Sequence, residues 1–191
     1  EDKAKLKKWL TEMRNEAIVT NERWAKQLGI NPSVAITAVK PSGTVSQLVD
    51  SASGIHPRYS SQYIRRVRAD SRDPLCGVLE AAGVPVEDDL MSPSTRVFSF
   101  PIASPEGAVT ASDMGAMEQL DLWEIYQDYW CEHKPSMTCY YRDEEFLEVG
   151  QWLYNKFDKV SGISFLPYSD HTYQQAPYEP VDKKTYNQMV K

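Results

Sequence analysis

Only three cysteines, Cys76, Cys131 and Cys139, occur in this 191-residue chain. An odd, sparse set without zinc-ligand spacing excludes a disulfide scaffold and predicts no metal site. A reducing, cytoplasmic setting fits best. No apolar run approaches the length a bilayer span needs, so no membrane association is expected. Basic residues are in deficit, 21 Lys and Arg against 27 Asp and Glu for a formal net charge of -6, which argues against a general nucleic-acid binder with a basic face. The chain also has no internal repeat, no low-complexity tract and no signal-peptide pattern. It opens on Glu1 inside an apparent helix and closes on Met189-Val190-Lys191 without a stop signal. A piece of a longer polypeptide, cut at both ends, is therefore expected. With 41% hydrophobic and 25% charged residues, it can bury one sizeable core or form part of a larger one.

What is present alternates between helix and strand. Leu6, Trp9, Leu10, Met13, Ala17, Trp24 and Leu28 keep close to one helical face, and Gly29 before Asn31-Pro32 ends that helix. Val34, Ala35, Ile36 and Val39 read as a strand, and 50–61 as a Ser-, Gly- and Pro-rich loop. Strands are predicted at Gln62–Ala69 and at Thr95–Ile102, the second stopped by Pro101. A short helix is predicted from Asp73-Pro74 to Gly83. A long helix runs from Ser112 towards Cys131, Ser136–Tyr141 is β-rich, and Asp143 caps a helix with a stripe of Phe146, Val149, Gly150, Leu153 and Phe157. Gly162–Leu166 is a short buried strand, and the tail after Pro167 reads as irregular. The spacings suit crossover connections, so an α/β layout with a parallel component is expected, with too few strands for a complete barrel.

The centre of interest is Thr37–Val49. Its apolar run stops at Pro41, which has no ladder N–H to give. Ser42, Gly43 and Thr44 then offer a flexible backbone and two hydroxyls, and Val45, Leu48 and Val49 follow at helical spacing. Strand, small-residue turn and helix start is a geometry that presents free amides to an anion. Phosphate oxygens would then be gripped by the N–H groups of Ser42–Val45 and the hydroxyls of Ser42, Thr44 and Ser46, with Lys40 adding charge. No Walker A pattern is present, and on local physics alone an ordinary capped strand-to-helix connection is the commoner reading of the same residues.

Other residues invite chemistry less strongly. Arg58, Arg65, Arg66, Arg68 and Arg72 could face a polyphosphate or an anionic cofactor, or form salt bridges on a strand near Asp70 and Asp73. His56, close in sequence to the turn, is a candidate substrate-loop contact. His133 and His171 show no metal pattern with the cysteines. The thiols read as buried and structural, and Tyr140-Tyr141 as a packed strand with no relay role.

Several separated motifs carry a resemblance. Lys40-Pro41-Ser42-Gly43-Thr44-Val45-Ser46, then Ser53-Gly54-Ile55-His56-Pro57, then Tyr63-Ile64-Arg65-Arg66 resemble ribonucleotide reductases. More narrowly, they resemble the monomeric, adenosylcobalamin-dependent (class II) ribonucleoside-triphosphate reductases. Gly162-Ile163-Ser164-Phe165-Leu166-Pro167-Tyr168 and Thr172-Tyr173-Gln174-Gln175-Ala176-Pro177-Tyr178 resemble the late part of the same catalytic domain.

The resemblance implies a fold and a function. Residues 1–191 would be one partial catalytic domain, a C-terminal fragment of a ten-stranded α/β barrel. The activity would be reduction of ribonucleotides, expected to be triphosphates, to 2′-deoxyribonucleotides by thiyl-radical chemistry. Adenosylcobalamin would generate the radical, a thioredoxin-type reductant would recharge the enzyme, and a deoxynucleotide effector would act outside this segment. The full-length enzyme would be a monomer. Ser42, Gly43, Thr44, Val45 and Ser46 map onto the family's substrate-phosphate loop. The radical cysteine would lie before Glu1 and the terminal cysteine pair beyond Lys191, so no catalytic residue is assigned here and the segment alone should not turn over. The alternatives are the large subunit of a class I reductase and a non-catalytic nucleotide- or phosphate-binding module.

Overall fold

The computed structural model describes residues 2–168 and 173–191. His171 and Thr172 lie outside the described residues. Contacts divide the chain into two units, one of residues 2–57 and 113–168, the other of 58–112 and 173–191.

The first unit begins with α1, Lys3–Leu28, whose N-terminal amides are capped by the Asp2 carboxylate. Gly29 ends it at φ 67°, a left-handed conformation that glycine adopts without a Cβ penalty. Of the expected apolar face only Leu10 is fully buried, while Trp9 and Trp24 stay 51% and 52% exposed. The predicted strand around Ile36 is irregular, with a bend at Val34, and joins no ladder among the described residues. A one-turn helix α2, Val45–Leu48, follows the Pro41–Thr44 turn. Later come α4 (Ala116–Tyr129), β4 (Met137–Tyr141), α5 (Phe146–Asn155) and β5 (Ile163–Pro167). Strands β4 and β5 pair in parallel from Met137↔Ile163 to Tyr141↔Pro167, with α5 as their crossover. Their core is Ile55, Ala116, Leu120, Trp123, Met137, Cys139, Val149 and Trp152. Phe146 and Phe157, expected in the buried stripe of α5, are exposed, and Trp152 takes the inward position instead.

The second unit is built on antiparallel pairing. Its strands β1 (Gln62–Asp70), β2 (Val86–Asp88), β3 (Thr95–Ala103) and β6 (Tyr178–Pro180) lie in the order β2-β3-β1-β6. Helix α3, Pro74–Ala81, is capped by Asp73, and α6, Lys183–Met189, by Asp182. Pro101 does not stop β3; it pairs with Ile64 inside the strand. Two residues earlier the Ser99 N–H points outward to the Pro85 carbonyl, so the Pro101 nitrogen faces the same side. There β2 reaches only Arg96–Phe98, and a missing donor breaks no ladder bond. The tail read as irregular supplies β6 and α6 instead. The chain thus has α/β content, with its parallel pair confined to the first unit.

Candidate functional site

The segment leading to the Pro41 turn is held by a loop rather than by a neighbouring strand. The Ile36 and Thr37 amides donate to the Glu132 carboxylate at 2.7 and 3.2 Å, and the Thr37 hydroxyl donates to the Trp130 carbonyl at 2.5 Å. In return the Glu132 and His133 amides donate to the Thr37 carbonyl, and the Ser136 amide to the Val39 carbonyl. The Ile36 N–H first, with the Thr37 N–H beside it, holds the Glu132 carboxyl below its ordinary value. A depressed folded value means that this stabilisation is complete above the unfolded value and is lost as pH falls through the folded one. Glu132→Gln should therefore flatten the acid limb of the stability–pH curve, measured by denaturant melts. An unchanged limb would show that the carboxylate is not what holds the segment.

Lys40 turns away from the role expected of it. Its Nζ donates to the Lys134 carbonyl and the Ser136 hydroxyl, at 3.3 and 3.1 Å. The turn itself is braced at both ends. The Ser42 amide donates to Ser53 Oγ at 2.7 Å, the Ser46 amide to Ser42 Oγ at 2.9 Å, and Ser46 Oγ to the Ser42 carbonyl at 2.9 Å. The Gln47 and Leu48 amides both bond to the Thr44 carbonyl. Between the braces, the amides of Gly43, Thr44 and Val45 have no partner among the described residues, and all three residues are exposed. A Cβ on Gly43 would meet nothing within 4 Å, so the space beside it is open. Three adjacent unpartnered amides can accept an anion.

Ser53 belongs to a loop that is itself anchored. Ile55 enters the core of the first unit. Gly54 sits at φ 60°, and a Cβ there would come 3.1 Å from the Lys40 carbonyl, so only glycine lets the loop lie this close. His56 Nε2 receives the Thr138 amide of β4 at 3.0 Å. An amide can only donate, so Nε2 accepts and the ring proton sits on Nδ1, donating to the Ser53 carbonyl at 2.7 Å. Both ring nitrogens of His56 are thus engaged within the chain. Ser53 and Thr138 are residues that the sequence reading did not single out as part of the site; Ser53 lay inside a quoted motif, Thr138 carried no local signal.

The arginine group serves the second unit. The guanidiniums of Arg65, Arg66 and Arg68 donate to the carbonyls of Pro177, Ala176 and Gln175, and Arg65 lies over the Tyr178 ring at 4.4 Å. Arg66 also pairs with Glu179, Arg68 with Asp89 and Arg72 with Asp70. Arg72 holds the Asp70 carboxyl down at about 2. All three cysteines are buried, and burial, with the Glu145 charge adding to it, pushes the Cys139 thiol up to about 12. A thiol so protonated is a poor nucleophile. Among the described residues no cluster of three or more His, Cys, Asp or Glu is placed to hold a metal, and no helix is long and apolar enough to cross a membrane.

Comparison with known proteins defines the class. No protein-family model matches the chain. A crystal structure of a B12-dependent (class II) ribonucleotide reductase superposes on it with a TM-score of 0.86 and 31% identity, covering 98% of this chain and 27% of that one. The chain is therefore homologous to one segment of the ribonucleotide reductases. More narrowly, its curated relatives are adenosylcobalamin-dependent ribonucleoside-triphosphate reductases. That of Levilactobacillus brevis is 33% identical over 90% of this chain, and that of Lactobacillus leichmannii 33% over 94%. A probable member from Dictyostelium discoideum is 34% identical over 89%. This chain spans 24%, 25% and 23% of those three proteins, about a quarter of each.

The arginine-rich strand β1 was this segment's best candidate for meeting an anionic cofactor. The guanidiniums of Arg65, Arg66 and Arg68 bond instead to the carbonyls of Pro177, Ala176 and Gln175, and those of Arg66 and Arg68 also to nearby carboxylates, so this strand does not fit such a cofactor.

Proposed function

We infer that this chain is the part of an adenosylcobalamin-dependent ribonucleoside-triphosphate reductase that holds the substrate's phosphates. Of the expected loop of residues 42–46, the amides of Gly43, Thr44 and Val45 form the grip, and Ser42 and Ser46, whose hydroxyls and amides bond within the chain, brace it from either side. What carries the reading is the row of unpartnered amides at Gly43, Thr44 and Val45, set between two braced serines, in a chain about a third identical to such reductases. Reduction of the ribose 2′-carbon by a thiyl radical requires the 3′-hydrogen to be held close to a sulfur atom. Fixing the phosphates at one end converts binding energy into orientation at the other. The thiyl cysteine itself, the effector site and the cysteine pair that meets a thioredoxin-type reductant fall to the remaining three-quarters of such an enzyme, which takes adenosylcobalamin as its cofactor. That cofactor, when bound, supplies the radical by homolysis of its carbon–cobalt bond.

The two units would then be parts of one catalytic domain, with β4, α5 and β5 contributing a βαβ stretch of the ten-stranded barrel. The exposed apolar side chains of α1, Trp9 and Trp24 among them, support this reading, since a face of that size is ordinarily covered. The whole enzyme would work in the cytoplasm as a monomer. An assay of the full-length polypeptide tests the proposal. It should convert ribonucleoside triphosphates to deoxyribonucleotides only when adenosylcobalamin and a dithiol reductant are both supplied. Activity that depends instead on a second, radical-bearing subunit would point to a class I large subunit. Nucleotide binding without turnover would point to a non-catalytic module.

A further inference from the structure

The substrate turn does not stand alone. Its first amide, on Ser42, is tied to the Ser53 hydroxyl at 2.7 Å. The Ser53 carbonyl receives His56 Nδ1–H at 2.7 Å, and His56 Nε2 receives the amide of Thr138 on the parallel strand β4 at 3.0 Å. One residue on either side of Thr138, Met137 and Cys139 are core members, as is Ile55 next to His56. A continuous chain of hydrogen bonds therefore runs from the core of the first unit, through one imidazole and one serine, to the start of the turn.

Resting on the phosphate-turn reading above, we propose that His56 and Ser53 are positioning residues for the nucleotide's phosphates. His56 does not touch the substrate. It fixes the Ser53 backbone against β4, and Ser53 Oγ fixes the direction of the Ser42 amide, hence the pitch of the three free amides that follow. Two features make the geometry demanding. Thr138 N–H can only donate, so the ring must be neutral and protonated on Nδ1; a charged or Nε2-protonated ring would set two donors against each other. Gly54, between the two residues, lies at φ 60°, and a Cβ there would come 3.1 Å from the Lys40 carbonyl, so the loop packs close against the backbone just before the turn. Substrate binding to a turn that must first be ordered is weaker than binding to one already ordered.

The test is steady-state kinetics of the full-length enzyme with a ribonucleoside triphosphate. Ser53→Ala and His56→Ala should each raise KM about three- to tenfold, the effect of one lost neutral hydrogen bond, with kcat held within about threefold. Ser53→Thr, which keeps the hydroxyl acceptor, should restore KM. His56→Gln, which can still accept from Thr138, should fall between wild type and His56→Ala. Ser42→Ala with Thr44→Ala is the control for the turn itself. If that pair raises KM while Ser53→Ala and His56→Ala do not, the positioning role is wrong and the turn reading survives. If the pair leaves KM unchanged, the turn reading fails and takes the positioning role with it. A drop in kcat and in melting temperature at constant KM would show Ser53 and His56 to be structural only. Where His56→Ala fails to fold, nitrogen-15 imidazole signals of the wild-type protein decide: His56 protonated on Nε2 overturns the proposal.

Discussion

Replacing Ser42 and Thr44 together by alanine in the full-length enzyme should raise the Michaelis constant for the nucleotide by about ten- to a hundredfold, the loss expected for one charge-assisted hydrogen bond of roughly 1.5–3 kcal/mol. The two hydroxyls act differently. Thr44 is exposed and its hydroxyl takes no partner among the described residues, so it is free to meet a phosphate oxygen directly. Ser42 Oγ accepts the amide of Ser46, which is 4% exposed. Removing that acceptor leaves a buried donor unsatisfied and loosens the turn from behind. Both losses act on binding of the phosphates, remote from the ribose carbons where chemistry occurs. Because phosphate anchoring also sets the approach of the 3′-hydrogen, kcat should fall as well, but by less than KM rises. Unchanged kinetics would remove the turn from the substrate site.

The largest stability effect is expected at Trp123. Its ring is fully buried, packs edge-on against Trp152 at 6.0 Å between centroids, and its Nε1–H donates to the Pro135 carbonyl at 2.9 Å. Trp123→Ala removes one of the two tryptophans of the core and orphans that carbonyl. The cost should be about 3–5 kcal/mol, on the scale of other buried aromatic truncations. Trp123→Phe retains most of the ring contact but not the donor, and should cost about 1–3 kcal/mol, most of it for the unpaired carbonyl. Denaturant unfolding of the full-length protein, followed by a probe of the first unit, distinguishes the two. Equal losses in both variants would mean that packing of the six-membered ring matters less than the hydrogen bond. A loss under 1 kcal/mol in Trp123→Ala would contradict a core centred on this residue.

The parts that were legible in the sequence are those fixed by local chemistry. Gly29 ends α1 because a left-handed residue is needed there, and Asp73 before Pro74 opens α3 because a carboxylate and a proline suit the first turn. The turn at Pro41–Ser46 was legible as a small-residue break between two apolar runs. Less was legible where a pattern has two structural solutions. The β-branched run at Val34–Val39 suits a strand, yet its backbone groups bond to Glu132, His133 and Ser136 in a loop, partners nearly a hundred residues away. Pro101 signals a strand end in a closed sheet but not at an edge that β2 fails to reach. Helical periodicity located the apolar face of α1 without showing how much of it this segment would cover. The same limit applies to the site. His56 was visible as a neighbour of the turn in sequence, but its role depends on Thr138, eighty-two positions further along.

The most direct measurement is a structure of the full-length protein with a ribonucleoside triphosphate bound. Phosphate oxygens should lie about 2.7–3.2 Å from the backbone nitrogens of Gly43, Thr44 and Val45, with the Ser42–Ser53 bond still formed. A nucleotide seated elsewhere, with those three amides still facing solvent, would contradict the account.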